Sequence, residues 1–198
     1  MVQITRILST TIDLPLVWIG RREPDRTAID IVAAAGSAIA YAEQLELSAD
    51  SAHPGGQGPV GRLYRQGGAS VTSIDSPEFA PWREAARSHA FGSTIAAVSP
   101  TRDGGQLSLT AYARADGPAL NDELLDWAQR LAEELARFWD HQGLLERNLR
   151  MSRYRDAQRT IQRALLDQPD PEAVYFTLAQ ALADIAGRRR GGCLRHQR

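Results

Sequence analysis

Between Gln106 and Leu149 the apolar residues change their period, and that change limits the folds open to the chain. From Gln106 to Ala113 they alternate strictly, with Leu107, Leu109, Ala111 and Ala113 set against Gln106, Ser108, Thr110 and Tyr112. A period of two belongs to a strand that meets an apolar layer on one face. The other face is semi-polar with one aromatic, as fits a strand that floors a pocket or meets solvent. From Leu120 the period is helical. Leu124, Ala128, Leu131, Leu135, Phe138, Gln142, Leu145 and Leu149 follow in alternating four- and three-residue steps, the seam of a coiled coil. Beyond Gly143 the phase slips by one position, and Met151, Tyr154, Gln158, Ile161 and Leu165 form a second register. Residues 120–140 are expected to cover their own sheet. Residues 144–166 have no sheet left to cover, so a partner helix accounts better for them. The expectation is a parallel homodimer through Leu124, Leu131, Leu135, Phe138, Leu145 and Leu149.

The upstream half reads as strands and short helices. Residues 4–12 predict a helix with Ile4, Ile7 and Leu8 on one side. Leu14–Gly20 predicts a central strand, apolar on both faces, with Leu16 and Trp18 opposite Val17 and Ile19. Arg21 to Asp25 is the expected connection to a partner strand over Thr27–Ala35. Ile39–Leu47 predicts a short helix. Ser48–Gly58 is glycine-rich, but no GK[ST] ending follows and no strand feeds into it, so it reads as a flexible surface lid rather than a phosphate cradle. Asp103-Gly104-Gly105 predicts a hairpin turn.

The middle of the chain, residues 58–100, holds a short helix over 59–66 closed by Gly67-Gly68, a strand, a capped helix over 77–90 and another strand. Ser76-Pro77-Glu78 starts that second helix: a hydroxyl to cap it, a proline at its first position and an acid at its positive end. Phe79, Trp82, Ala86 and Ala90 recur along it with His89 near their face. Trp82 and Arg83 together offer a stacking surface and an anion contact; for such residues the commoner case is that Trp82 is core and Arg83 is solvated.

Gly58-Pro59-Val60-Gly61-Arg62, Gly67, Val71 to Asp75, Phe79-Ala80-Pro81-Trp82-Arg83 and Phe91-Gly92-Ser93 stand in an order and spacing that resembles a GAF domain. The resemblance extends over roughly Ile4 to Asp140. It is strongest to the GAF subgroup of bacterial multidomain signalling proteins, often found beside diguanylate cyclase and phosphodiesterase domains. It implies an α/β (α+β) sandwich with a central antiparallel sheet of five or six strands, helices on both faces and an extended C-terminal helix. The N-terminal helix and residues 120–140 would cover one face. The helices at 39–47, 59–66 and 77–90 would cover the other, with the family's pocket beneath them. Carried over by position, the pocket candidates are Trp18, Tyr41, Trp82, Arg83, Phe91, Ser93 and Tyr112, a set suited to a small planar or anionic ligand of unknown identity. The implied organisation is a sensory domain at 1–140 and a signalling helix at 141–168. A helix at 169–187 resembles the start of a second GAF domain, and a basic tail at 188–198 is expected to be disordered.

Composition narrows function further. All 23 basic residues are arginine. Residues 1–187 hold 18 of them and all 24 acids, a balance of −6, which argues against non-specific nucleic-acid binding. No apolar run approaches the roughly 18 residues that span a bilayer, and the N-terminus has no signal-peptide pattern, so a cytoplasmic location is expected. Cys193, the single cysteine, lies in the tail, away from any place where a bilin or a catalytic thiol would be held. His53, His89, His141 and His196 show no metal-ligand spacing. His89 near Trp82 is a packed histidine more readily than a haem ligand. The expectation is a non-enzymatic sensor that binds a small ligand, dimerises through its long helix and controls an output domain. Its rival is a structural dimerisation domain whose pocket is filled by its own aromatics.

Overall fold

The centre of the fold is a six-stranded antiparallel sheet in the order β3-β2-β1-β6-β5-β4. The structure is a computed structural model and describes residues 1–117, 120, 122–167 and 175. In chain order the elements are α1 (Val2–Thr11), β1 (Leu16–Arg22), β2 (Ala28–Ala35), α2 (Ile39–Ala42), β3 (Leu47–Ser48), α3 (Pro59–Gln66) and β4 (Gly68–Ser73), then α4 (Arg83–Ser88), β5 (Phe91–Pro100), β6 (Gln106–Arg114) and α5 (Asp122–Asp167). Short 3-10 helices occupy Pro54–Gly56 and Pro77–Trp82. Met1–Asp140 is one compact unit; residues from His141 onward belong to a second.

The alternation of the central strands produces two cores. Leu16, Trp18, Ala96, Val98 and Tyr112 face a layer made by α2, α3, the Pro77–Trp82 turn and α4. Val17, Ile19, Ile95, Ala97, Leu107, Leu109 and Ala111 face the first half of α5, with α1 residues Ile4 and Leu8 packed against them. β1 and β6 are therefore buried on both faces, as the apolar run at Leu16–Ile19 predicts. Within the first unit, Leu124 and Leu131 pack on this second core and Leu135 is part of it, so half of the expected seam covers the domain's own sheet. Phe138 is 44% exposed. In the second unit, described by itself, Leu145 and Leu149 are also exposed.

Several boundaries differ from the sequence expectation. β1 extends to Arg22 because Arg21 and Arg22 pair with Leu107 and Gln106 on β6. The helix expected over Ile39–Leu47 stops at Ala42, and Leu47 becomes an edge strand paired with Ile29. The helix expected over 77–90 is a 3-10 turn with Pro81 inside it, followed by α4; Ala90 lies beyond it at φ 56°. Proline removes the backbone donor an α-helix would need there. Ile7 is exposed, while Thr5 and Ser9 take the inner face of α1. The Ser48–Gly58 segment is no loose lid. Gly55 and Gly56 are buried, the His53 ring accepts a hydrogen bond from Gly55 N at 3.0 Å, and Arg65 Nη1 donates to Ala49 O and Gly56 O at 3.0 and 2.8 Å. Apart from Tyr175, the helix expected over 169–187 and the basic tail lie outside the described residues.

The loop end of the β5–β6 hairpin is tied to α5 by one buried arginine. Arg21, 2% exposed, donates to Thr101 Oγ1 at 2.8 Å and pairs with Asp103 at 2.6 Å. Its guanidinium lies 5.0 Å from the ring centre of Trp139 on α5. Gly105 is required beside it, because a Cβ there would come within 2.2 Å of the guanidinium. Burial works to raise the Asp103 carboxyl, but hydrogen bonds from Thr101 and Gly105 and the charge of Arg21 outweigh it and hold the group below its ordinary 3.8. A depressed carboxyl contributes stability above its unfolded value and loses it as pH falls through the folded one. Stability is thus expected to fall below about pH 4, and Asp103→Asn should flatten that part of a urea-unfolding pH profile. An unchanged profile would count against the Arg21–Asp103 pair as its source.

Candidate functional site

The site lies on the sheet face that carries Trp18, Thr110 and Tyr112. Trp18 pairs directly with Thr110 across β1 and β6, and Tyr112 stands two residues further along β6. Tyr112 is the hub of an aromatic cluster. Its ring centre is 4.6 Å from Phe91, 5.5 Å from Tyr41 and 6.4 Å from Phe79. Tyr41 in turn meets Phe91 edge-on at 5.2 Å, and His89 stacks on Phe91 at 5.7 Å. Phe79 contacts Trp82 at 6.1 Å. In a 3-10 helix residues i and i+3 eclipse, so the turn that replaces the expected helix sets Phe79 and Trp82 on one side.

A cleft opens between this cluster and the covering layer, lined among others by Tyr41, Leu47, Val60, Phe79, Trp82 and Tyr112. It is narrow: the cavity is about 20 Å³, room for about one water. Arg65 holds its glycine-rich wall to α3, and an Arg62–Glu78 ion pair joins α3 to the 3-10 turn. Trp82, half-buried, rests on Gly58 at the start of α3. A Cβ on Gly58 would come within 2.5 Å of the indole.

The polar groups on the cleft's lining are the hydroxyls of Tyr41 and Tyr112. Behind them, the Trp18 indole and the Tyr41 hydroxyl both interact with the Tyr112 hydroxyl, and Thr110 Oγ1 is buried without a hydrogen-bond partner. Burial pushes the Tyr41 hydroxyl up to about 12, offset in part by the Tyr112 hydroxyl beside it. Burial likewise raises Tyr112 well above 10, with Tyr41 adding to the effect. Both phenols are therefore neutral at physiological pH. Deeper along the same face, Tyr64 Oη donates to Ser108 Oγ at 3.0 Å.

Five of the seven candidate pocket residues converge here: Trp18, Tyr41, Trp82, Phe91 and Tyr112. The other two are placed elsewhere. Arg83 lies near the cleft, but its guanidinium donates to Ile74 O, Asp75 O and Ser76 O at 3.2, 3.3 and 2.9 Å, which fastens the turn before the 3-10 helix. Ser93 pairs with Ala113, whose neighbours in alternation, Ala111 and Leu109, face the other core. The register shift between Phe91 and Ser93 puts these two on opposite faces of the sheet. Phe79, Thr110 and Gly58 are site residues that the position-by-position reading passed over. Phe79 was legible in its spacing to Trp82.

No family model matches the chain, and no curated protein matches it in sequence. Its fold, however, matches solved structures. The GAF domain/HD domain protein of Geobacter sulfurreducens superposes with a TM-score of 0.56 at 15% identity, over 72% of this chain and 90% of that one. The phycoerythrobilin-bound GAF domain of a cyanobacterial phytochrome gives 0.55 at 14% identity, over 73% and 86%. The second GAF domain of DevS from Mycobacterium smegmatis gives 0.53 at 17% identity, over 74% and 94%. The chain has the GAF fold, with the extended helix at its C-terminal end. Among the described residues, no helix is long and apolar enough to cross a membrane.

The contact between Gly58 and Trp82 is testable by itself. Gly58→Ala should cost about 1–3 kcal/mol, because the indole has to move out of a packed position. In a Trp82→Ala background that cost should largely vanish, since the clashing group is gone. Chemical unfolding of the four proteins measures the coupling. Equal costs in both backgrounds would mean that Trp82 does not rest on Gly58.

Proposed function

We propose that the chain is a cytoplasmic sensory or regulatory module in bacterial signal transduction, working by binding rather than catalysis. Residues 1–140 take up a small molecule in the cleft. Residues 141–168 form a signalling helix that pairs with a second copy and relays the bound state to an output domain, a cyclic-di-GMP-turnover domain being one class that fits. The observation that carries the reading is the cleft itself, an aromatic and aliphatic pocket with the Tyr41 and Tyr112 hydroxyls on its lining and the half-buried Trp82 among its walls. The bilin-bound phytochrome domain, with a similar fold, supports the reading by analogy. The relay has a short physical route, since β1 carries Trp18 on the cleft face and Arg21, in contact with Trp139 of α5, on the other.

The narrowness of the cavity supports a second reading, a structural dimerisation domain whose pocket is filled by its own aromatics. A thermal-shift screen of nucleotides, flavins, haem, tetrapyrroles and small carboxylates separates the two, because a ligand specific for the folded form raises the melting temperature by mass action. The sensor reading expects at least one hit, weakened by Trp82→Ala. On the structural reading no compound shifts the melt and Trp82→Ala costs about 3–5 kcal/mol as a core deletion.

The helix is tested separately. Leu145 and Leu149 are exposed on α5 beyond the sheet. Replacing both with glutamate should convert a dimer into a folded monomer in sedimentation velocity. A wild-type protein that is already monomeric at tens of micromolar would end the dimer reading without touching the cleft.

A further inference from the structure

The charge on α5 is divided between its two halves. The helix runs unbroken from Asp122 to Asp167. Residues 122–140 hold six acids against two arginines, a balance of −4, while residues 144–163 hold six arginines against Glu146 and Asp156, a balance of +4. The helix dipole favours such a bias only in the first and last turns, and here it fills both halves. In the first half Glu123, Asp126 and Glu134 are exposed, and in the second all six arginines are. Exposed apolar groups stand on both sides of the division as well: Phe138 and Leu145, one heptad apart, are each 44% exposed. A second copy lying parallel and in register would set like charge against like along the whole length. Lying antiparallel, it sets each half against its opposite. A membrane or a nucleic acid would attract the arginines but repel the equal acidic charge on the same helix, whereas a second copy satisfies both halves.

We infer that α5 pairs antiparallel with α5 of a second copy, centred near His141, where the charge changes sign, with Phe138 of each copy against Leu145 of the other. In a two-fold pair of this kind each residue faces one at an equal distance beyond the centre. The same centring therefore brings Glu123 and Asp126 of one copy within about a turn of Arg159 and Arg155 of the other. The inference rests on the pairing of the long helix proposed above and gives that pairing its orientation. It departs from the parallel arrangement that the heptad spacing alone suggests, because spacing carries no information on charge.

Salt, charge reversal and a distance test the orientation on the full chain. Salt screens attraction and repulsion alike, so antiparallel dimerisation should weaken about tenfold between about 50 and 500 mM NaCl in sedimentation velocity, where a parallel dimer would strengthen. Arg155→Glu, Arg159→Glu and Arg163→Glu together change only exposed sites. The triple variant should keep its helix content in circular dichroism and be monomeric at concentrations where the wild type is dimeric; in a parallel dimer the same changes lessen repulsion and dimerisation would not weaken. With Cys193→Ser and a spin label on Thr160→Cys, the label-to-label distance should be about 55 Å, from the rise per residue to either side of the centre, against roughly 20 Å in a parallel pair. Dimerisation that strengthens with salt, a triple variant that still dimerises, or the short distance would overturn the inference and leave the pairing of the helix in place. A wild type that is monomeric at every salt concentration overturns both.

Discussion

The alternation of β1 and β6 at the middle of the sheet is the constraint on which the rest of the fold depends. Both strands are buried on both faces, so each successive residue is committed to one core or the other. A slip of one residue would send Trp18 and Tyr112 under α5 and bring Val17 and Ala111 to the cleft. The two cores differ in kind. The α5 side is aliphatic and small, packed with valine, isoleucine, leucine and alanine. The cleft side holds the rings and nearly all the buried hydroxyls of the sheet. A side chain with a polar end that must be buried needs a partner or a solvent-filled space. On the cleft face the Tyr41, Tyr112 and Trp18 polar ends meet one another, which is how most of them are accommodated.

Where the physics was periodic, the sequence was readable. The strict alternation of Gln106–Ala113, the Asp103-Gly104-Gly105 turn and the helix over 59–66 all appear at their expected places. So does the Ser76 cap, whose hydroxyl accepts from Glu78 N. The features that were not readable are breaks in period. Val32 on β2 is skipped in the pairing with β1, so Ile31 and Ala34, three residues apart, both pack against the cleft-side core. The shift after Phe91 does the same on β5 and removes Ser93 from the site. A bulge costs one residue and reverses the facing of everything beyond it; on β5 the one signal was Gly92, an isolated glycine inside the strand pattern. Arg83 shows a different limit. An arginine beside a tryptophan carries the same letters whether it meets a ligand or three carbonyls, and the choice depends on where the preceding turn brings its oxygens.

The glycine-rich segment shows how a composition argument can point the wrong way. Glycine permits a loose loop, but it equally permits backbones to approach where no side chain fits. Gly56 is of the second kind: a Cβ there would overlap Asp50 O. With Arg65 donating to two of its carbonyls, the segment is a wall of the cleft and not a lid over it. The indole of Trp82, packed between Phe79 and Gly58, completes the enclosure.

The long helix raises the same issue on a larger scale. A heptad repeat is satisfied as well by a sheet beneath it as by another helix, and spacing alone does not distinguish them. Burial does. Leu124, Leu131 and Leu135 are engaged with the domain's own core, which leaves Phe138 and the exposed Leu145 and Leu149 for any second copy. Residues 144–163 also hold six arginines against Glu146 and Asp156. Two such segments side by side in register would repel, more so at low ionic strength. Apolar contact at a few positions would have to exceed that repulsion, so any pairing through this segment would be poised rather than permanent. A relay of the proposed kind would need that property, because an interface held by a large surplus of free energy would not respond to the few kcal/mol that a small ligand can supply.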